Sequence, residues 1–272
     1  MRQFKLKNAV GQEYDLTDKA HFLYNVSELG FEYDADYKQV GVQFIKISEK
    51  LKQPKPKGTI KFNEYEEYSR FVIFTQKKPL VLIYIPENKE YRLDCEIYRL
   101  EKAEKEKCGW LRCKVEFKGL GSWYKYTVME KSASDYGKTY NYIYPYNYTD
   151  NASDTLEITS ESTVKSPVIL NFIGPCKNPS WKHYVNGIEK ASGKVVSTLK
   201  NGERLNVSSV LPYRIIKTDN SGNEIEDLYG LSDFSTKRFL FIEQGENRIT
   251  ITHEGVEDLN AIVEVYEYYE SV

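Results

Sequence analysis

Residues 171–205 read NFIGPCKNPSWKHYVNGIEKASGKVVSTLKNGERL, a series of short apolar runs cut by turn residues. Gly174-Pro175 opens a turn and Asn178-Pro179 follows it. Asn186-Gly187 and Asn201-Gly202 are strong hairpin signals, because a two-residue connection needs left-handed backbone, which these residues tolerate. The block therefore predicts antiparallel strands. It holds no acid pair, no metal-ligand spacing and no nucleophile beside a base. Working outward, about ten strand candidates at short spacing fill the second half of the chain, the signature of an antiparallel sandwich or barrel. Further turns fall at 219–223 and 244–247, and no helical pattern longer than a turn or two intervenes.

The first half is mixed. Phe4, Leu6, Tyr14 and Leu16 flank a turn at Gly11 and predict an opening hairpin. Val40, Val42 and Phe44 alternate through a second strand candidate, 40–47. One helix is well signalled: Asn63 as its cap with Glu66 three residues on, Tyr65, Tyr68, Phe71, Val72 and Thr75 on one face, and Pro79 as its stop. The run Leu80-Val-Leu-Ile-Tyr-Ile85 predicts a central strand covered on both faces. Two alternating strands follow, through Leu93, Cys95 and Ile97 and through Leu111, Cys113, Val115 and Phe117, with the charged stretch 101–107 as an exposed arm between them. A helix crossing antiparallel strands is an α+β arrangement. The composition turns polar and small at 131–138, which sets domains at 1–131 and 132–272.

Composition excludes several classes. A formal net charge of −2 gives no global basic field for nucleic acid. The N-terminus lacks an apolar signal core, and no run of 18 or more apolar residues occurs, so cytoplasmic synthesis and folding without membrane insertion are expected. Cys95, Cys108, Cys113 and Cys176 form no CxxC pair; Cys95 and Cys113 read as buried thiols, and neither metal nor cofactor is expected. Asn25, Asn147, Asn151 and Asn206 match the glycosylation sequon, which carries no weight without a signal peptide. His21, His183 and His253 lie far apart and outside any nucleophile or metal motif, and Gly119-Leu-Gly121 lacks the strand and helix that a phosphate loop needs.

Tyrosine is in surplus, with 23 against 12 Phe and 3 Trp. Tyr140, Tyr142, Tyr144, Tyr146 and Tyr148 share one parity, so an extended chain presents all five rings on one face, and Pro145 makes that an edge strand. Tyr142, Tyr144, Tyr146 and Trp181 are the candidates for stacking a sugar; the alternative is that these rings pack against another sheet, domain or subunit. A lysine-rich segment, 48–58, contains Lys50, Leu51, Lys52, Pro54 and Pro56 and has few apolar anchors. It reads either as a solvated loop or as an extended arm ordered by a neighbouring subunit.

The turn containing Gly174, Cys176, Asn178-Pro179 and Trp181 resembles one in the distal tail proteins of long-tailed phages of Gram-positive bacteria. Phe4-Lys-Leu-Lys-Asn8 with Gly11 and Tyr14-Asp-Leu16 resembles that family's opening hairpin. Glu28-Leu-Gly-Phe31 with Tyr33 and Tyr37 is similar to its GLGF segment, with Glu28 in place of Gly. Residues 62–74 with 80–84, the run around Tyr144-Pro-Tyr146, and the closing hairpin 239–251 around Gly245 and Asn247 follow in the family's order.

The resemblance implies a mainly β chain, with an N-terminal α+β ring-forming domain and a C-terminal galectin-like antiparallel β-sandwich. It implies a non-enzymatic homo-hexamer at the tail tip of a virion, assembled in the host cytoplasm. Its partners would be the tail tube protein, the tail-associated lysin or fibre, and receptor-binding or baseplate proteins. DNA would pass through the lumen unbound, and the 48–58 arm would clasp the next subunit. Two alternatives stand beside it: a carbohydrate-binding β-sandwich module for host cell-wall sugars, and a glycosidase, which needs two carboxylates facing one cleft.

Overall fold

The computed structural model describes residues 2–131, 153–254 and 260–272. The chain divides into two compact units, Met1–Lys125 with Tyr268–Val272, and Tyr126–Glu267.

Unit 1 is an antiparallel sheet wrapped around one helix. Its elements are β1 (Gln3–Lys7), β2 (Glu13–Asp15), β3 (His21–Ser27), β4 (Tyr33–Val40), β5 (Gln43–Leu51), β6 (Lys57–Phe62), α1 (Tyr65–Thr75), β7 (Leu80–Ile85), β8 (Tyr91–Lys102), β9 (Leu111–Gly119) and the start of β10 (Trp123–Lys131). The opening hairpin forms as the alternation requires, with Leu6 opposite Tyr14, and Phe4, Leu6 and Leu16 buried. β7 is central, between β1 and β8. β8 pairs through its first half with β7 and through its second half with β9, across a bulge between Ile97 and Arg99. β9 continues to β6, and β6 to β3. The core gathers Phe4, Leu23, Ile60, Phe62, Leu82, Leu93, Val115, Phe117 and Trp123 against Phe71 and Phe74 of α1.

The helix starts differently from the sequence expectation. Its N-cap is Glu64, without a side-chain cap bond, and not Asn63. The Asn63 amide donates instead to the Lys19 carbonyl at 3.0 Å, while Glu66 pairs with Arg70. A tertiary acceptor has won the side chain that the capping pattern assigned to the local backbone.

Among its described residues, unit 2 is a sandwich of two antiparallel sheets, with no closed barrel. Its strands are β11 (Ser153–Ser160), β12 (Ser166–Ile173), β13 (Cys176–Lys177), β14 (Ser180–Val185), β15 (Ile188–Lys194), β16 (Thr198–Leu199), β17 (Glu203–Ser208), β18 (Arg214–Asp219), β19 (Glu224–Asp227), β20 (Phe241–Ile242), β21 (Gly245–Thr252) and β22 (Asn260–Tyr269). One sheet carries β19, β18, β17, β12 and β22 in that order, and the other β11, β21, β14 and β15. The Asn186-Gly187 turn joins β14 to β15, both residues at positive φ as its two-residue geometry demands. Val168, Leu170, Phe172, Leu205, Val207, Ile215, Val263 and Val265 face Leu156, Trp181, Ile249 and Ile251 across the core.

Trp181 is the largest side chain in that core, 1 % exposed, and its indole Nε1 donates to the Arg238 carbonyl at 2.8 Å. The ring lies flat over Gly193, where an added Cβ would stand 2.4 Å from Trp181 Cζ2. Gly193 is therefore required by close approach. Gly193→Ala is expected to destabilise unit 2 by about 1–3 kcal/mol through overpacking, read as a lower denaturant midpoint at unchanged m-value.

Of the four thiols only Cys108 is exposed; Cys95, Cys113 and Cys176 are buried, and none of the four is in a disulfide. Burial pushes the Cys95 thiol up to about 12 and raises that of Cys113. At pH 8 the native protein should thus titrate one thiol with Ellman's reagent, and all four after denaturation.

Candidate functional site

β3 and β6 are antiparallel partners, with Leu23 opposite Ile60 and Ser27 opposite Lys57. Residues 28–56 between them leave the sheet and return to the same place. The excursion is a second hairpin, β4–β5, in which Tyr33 stands opposite Leu51 and Val40 opposite Gln43. Gly41 turns it at φ +64°. Among the described residues, β4 and β5 pair only with each other.

The ribbon's departure is fixed by specific contacts. Glu28 sits at φ +61°, in the left-handed region that favours glycine, and its carboxylate forms an ion pair with Lys57. This is the position where the sequence has Glu in place of the glycine of the GLGF segment. Lys52 bonds the Glu32 carboxylate at 2.6 Å and its own N–H donates to the Glu32 carbonyl; this partner holds the Glu32 carboxyl below its ordinary range. The Tyr33 hydroxyl donates to Glu270 at 2.6 Å, which raises the phenol's pKa. The Val272 N–H closes on the Leu29 carbonyl.

Beyond that base every residue of β5 is exposed, and so is most of β4. Val42 is 94 % exposed, Phe44 69 % and Ile47 65 %, with Tyr37, Val40 and Ile45 also open. The sequence alternation at 40–47 predicted a half-buried strand; the structure turns the chain at 41–42 and buries neither face. Ile47 is the extra residue of a β-bulge between the pairs Asp36–Ser48 and Tyr37–Lys46, so the ribbon carries apolar groups on both sides. A two-stranded ribbon in water is marginal on its own, and a long apolar one with two open edges is a template for another chain.

The residues singled out from sequence fall as follows. Lys50 and Leu51 end β5. Lys52 is at the ribbon's base, and the carbonyls of Pro54 and Pro56 accept from the N–H groups of Gly119 and Phe117, returning the chain to the sheet beside β9. Trp181 is enclosed in the unit 2 core and offers no ring face to a sugar. Tyr142, Tyr144 and Tyr146 lie outside the described residues, as does the polar segment 132–138. Sequence reasoning named Val40, Val42 and Phe44 as an alternating strand and Leu51 as part of an arm, but not the exposed apolar surface they form with Ile45 and Ile47; the sign available was consecutive apolar residues, Phe44 and Ile45, where a half-buried strand alternates.

Comparison with known proteins gives the class. Residues 3–120 match the family model of the distal tail protein N-terminal domain. The ribbon lies inside this matched stretch. Over the whole chain, the fold is similar to a chain of the phage p2 baseplate in its activated conformation, with a TM-score of 0.63 to the strontium form and 0.64 to the calcium form. Both are 19 % identical and covered over 100 % of each chain. It is also similar to the SPP1 Dit protein, described as a paradigm of the hub adsorption apparatus of phages infecting Gram-positive bacteria, with TM-score 0.60, 11 % identity, and 98 % and 99 % coverage. No curated protein sequence gave a match.

Because Phe44 and Ile47 are about two-thirds exposed, Phe44→Ser with Ile47→Ser should leave stability within about 0.5 kcal/mol per site of the parent. Thermal unfolding of the dilute protein tests this, and a large loss would mean that the ribbon packs on its own unit.

Proposed function

We propose that this chain is the subunit of a homo-hexameric ring at the tip of a phage tail, a virion hub that joins the tail tube to the tail-associated lysin or fibre and to receptor-binding or baseplate proteins. The observation that carries the reading is the β4–β5 ribbon: paired with nothing else among the described residues and apolar on both sides, it lies within the stretch that matches the distal tail protein family model. The fold likeness to baseplate and hub chains, over nearly the full length of both partners, supports the same assignment.

In this reading the ribbon is the clasp. Its edges add to a strand of the next subunit, and Phe44, Ile45 and Ile47 bury against that subunit's surface. Lys50 and Leu51 form its proximal end, and Lys52, Pro54 and Pro56 hold the return segment so that the ribbon leaves at a fixed place. Residues 1–131 would build the ring and 132–272 the outer sandwich. DNA would pass through the lumen without specific contact, consistent with a net charge of −2. Assembly would take place in the host cytoplasm; no described helix is long and apolar enough to cross a membrane. No catalytic step is assigned to the hub. Among the described residues no group of three or more His, Cys, Asp or Glu could hold a metal ion.

Light scattering on the purified chain, with negative-stain imaging of the same peak, tests the reading. One chain is 31.7 kDa, so six give about 190 kDa, and a ring with a central hole is expected. The Phe44→Ser, Ile47→Ser chain should elute as a folded monomer. An intact hexamer from that variant would refute the clasp, and a wild-type monomer at every concentration would count against ring closure.

A further inference from the structure

Unit 2 carries a groove of about 700 Å³ that the hub reading does not use. Its apolar wall is aromatic. Tyr213 stacks on Phe239 with centroids 4.8 Å apart and meets Phe241 edge-on. Its polar lining contains Lys165, Lys190, Lys237 and Arg238 against one carboxylate, Glu243. Lys165 and Lys190 approach that carboxylate from 2.9 and 3.8 Å, and Lys165 holds its pKa below the ordinary range. Arg238 is committed elsewhere, its guanidinium lying 3.8 Å over the Phe234 ring and bonding Ser232. The groove therefore keeps cationic surplus on its lysines.

His183 also lines the groove, although it is only 1 % exposed. Its protonation follows from its neighbour. The Asn247 amide nitrogen donates to the carbonyls of Glu243 and Gly245, so Asn247 Oδ1 is an acceptor, and it also receives the Glu243 N–H. His183 Nε2, 3.1 Å from that oxygen, must be the donor. Burial lowers the imidazole's pKa, so the ring is neutral at pH 7 and Nδ1 bears a lone pair. That atom is buried and has no hydrogen-bond partner. A buried acceptor left open costs stability, and a ligand hydroxyl that reached it through a small side-chain shift would relieve the cost.

We propose that this groove binds an acidic saccharide. The apolar face of a sugar ring lies on the open face of Tyr213, a hydroxyl serves His183 Nδ1, and the ligand's phosphate or carboxylate sits by Lys165 and Lys190. Aromatic stacking, a hydroxyl acceptor and a lysine pair together fit a hydroxylated ring with negative charge. The site stands independently of ring assembly, so its failure leaves the hub reading where it is.

Isothermal titration of the full-length chain with glucose 6-phosphate, glucose and inorganic phosphate tests the proposal. Glucose 6-phosphate should bind with a Kd on the order of 1 mM, and glucose about tenfold more weakly. Inorganic phosphate should give no saturable heat. Tyr213→Ala, at an exposed ring, should weaken glucose 6-phosphate about tenfold without unfolding the domain. His183→Leu should do the same, and Tyr213→Ala keeps the test valid if the buried substitution does not fold. Phosphate binding as tightly as glucose 6-phosphate, glucose binding equally tightly, no binding by any probe, or binding unchanged in Tyr213→Ala would each overturn the proposal.

Discussion

The pairing of β8 with two neighbours in turn is what the rest of unit 1 depends on. Its first half completes the sheet of β7 and β1, with Leu82 opposite Leu93; its second half, past the bulge at Ile97 and Arg99, starts the run through β9 and β6 to β3. A bulge bends a strand and increases its twist, so one sheet can fold over and enclose Phe71 and Phe74 of the helix. Once β3 and β6 are held side by side at the far end of that sheet, the chain between them has nowhere inside to go. The ribbon is therefore expelled by the closure of the core. Its apolar residues stay exposed on strands that, among the described residues, pair only with each other.

This constraint also explains how the ribbon's base is built. A segment leaving a sheet must turn sharply without exposing unpaired backbone, and here Glu28 takes the left-handed conformation while its side chain reaches Lys57. Glycine would take the same backbone more easily. Glu spends some of that ease and gains a charged contact, worth little in water but directed across the neck of the ribbon. With Lys52–Glu32 and Tyr33–Glu270 it makes three polar ties at the departure point, while beyond them exposed apolar side chains from Tyr37 to Ile47 stand among polar ones. Rigidity at the root and adhesion along the blade are what a clasping element requires.

Local signals in the sequence were legible where local geometry decides. The Asn186-Gly187 turn, the helix over 65–75, the central strand at Leu80 and the buried Cys95 and Cys113 all follow from turn chemistry or period, and so does the mainly antiparallel β class. What was not legible depended on distant partners. Asn63 has a good cap pattern, yet Lys19 supplies a competing acceptor from across the sheet. Residues 40–47 alternate well enough for a half-buried strand, and only the β3–β6 pairing shows that no core lies beneath them. His183 reads as an ordinary strand residue because nothing near it in sequence reveals that Asn247, 64 positions on, fixes its tautomer.

The tyrosine surplus separates structural rings from surface ones. Buried or half-buried tyrosine is favoured over phenylalanine where the hydroxyl has a fixed partner. Tyr33 reaches Glu270, Tyr124 reaches Asp94 and Tyr126 reaches Glu264, each at 2.6–2.9 Å, and the last two also pack edgewise or tilted on Tyr268 and Tyr266. The Tyr124–Tyr268 and Tyr126–Tyr266 ring pairs join β10 to β22, the first within unit 1 and the second within unit 2. A phenol tied at its tip and packed against a second ring resists reorientation, so each pair stiffens its own unit. Tyr37 and Tyr213 are different: each is about half exposed, one on the ribbon and one on the wall of the groove. Burial within the fold does not account for these two rings. The surfaces they stand on are those that contact with another molecule would complete.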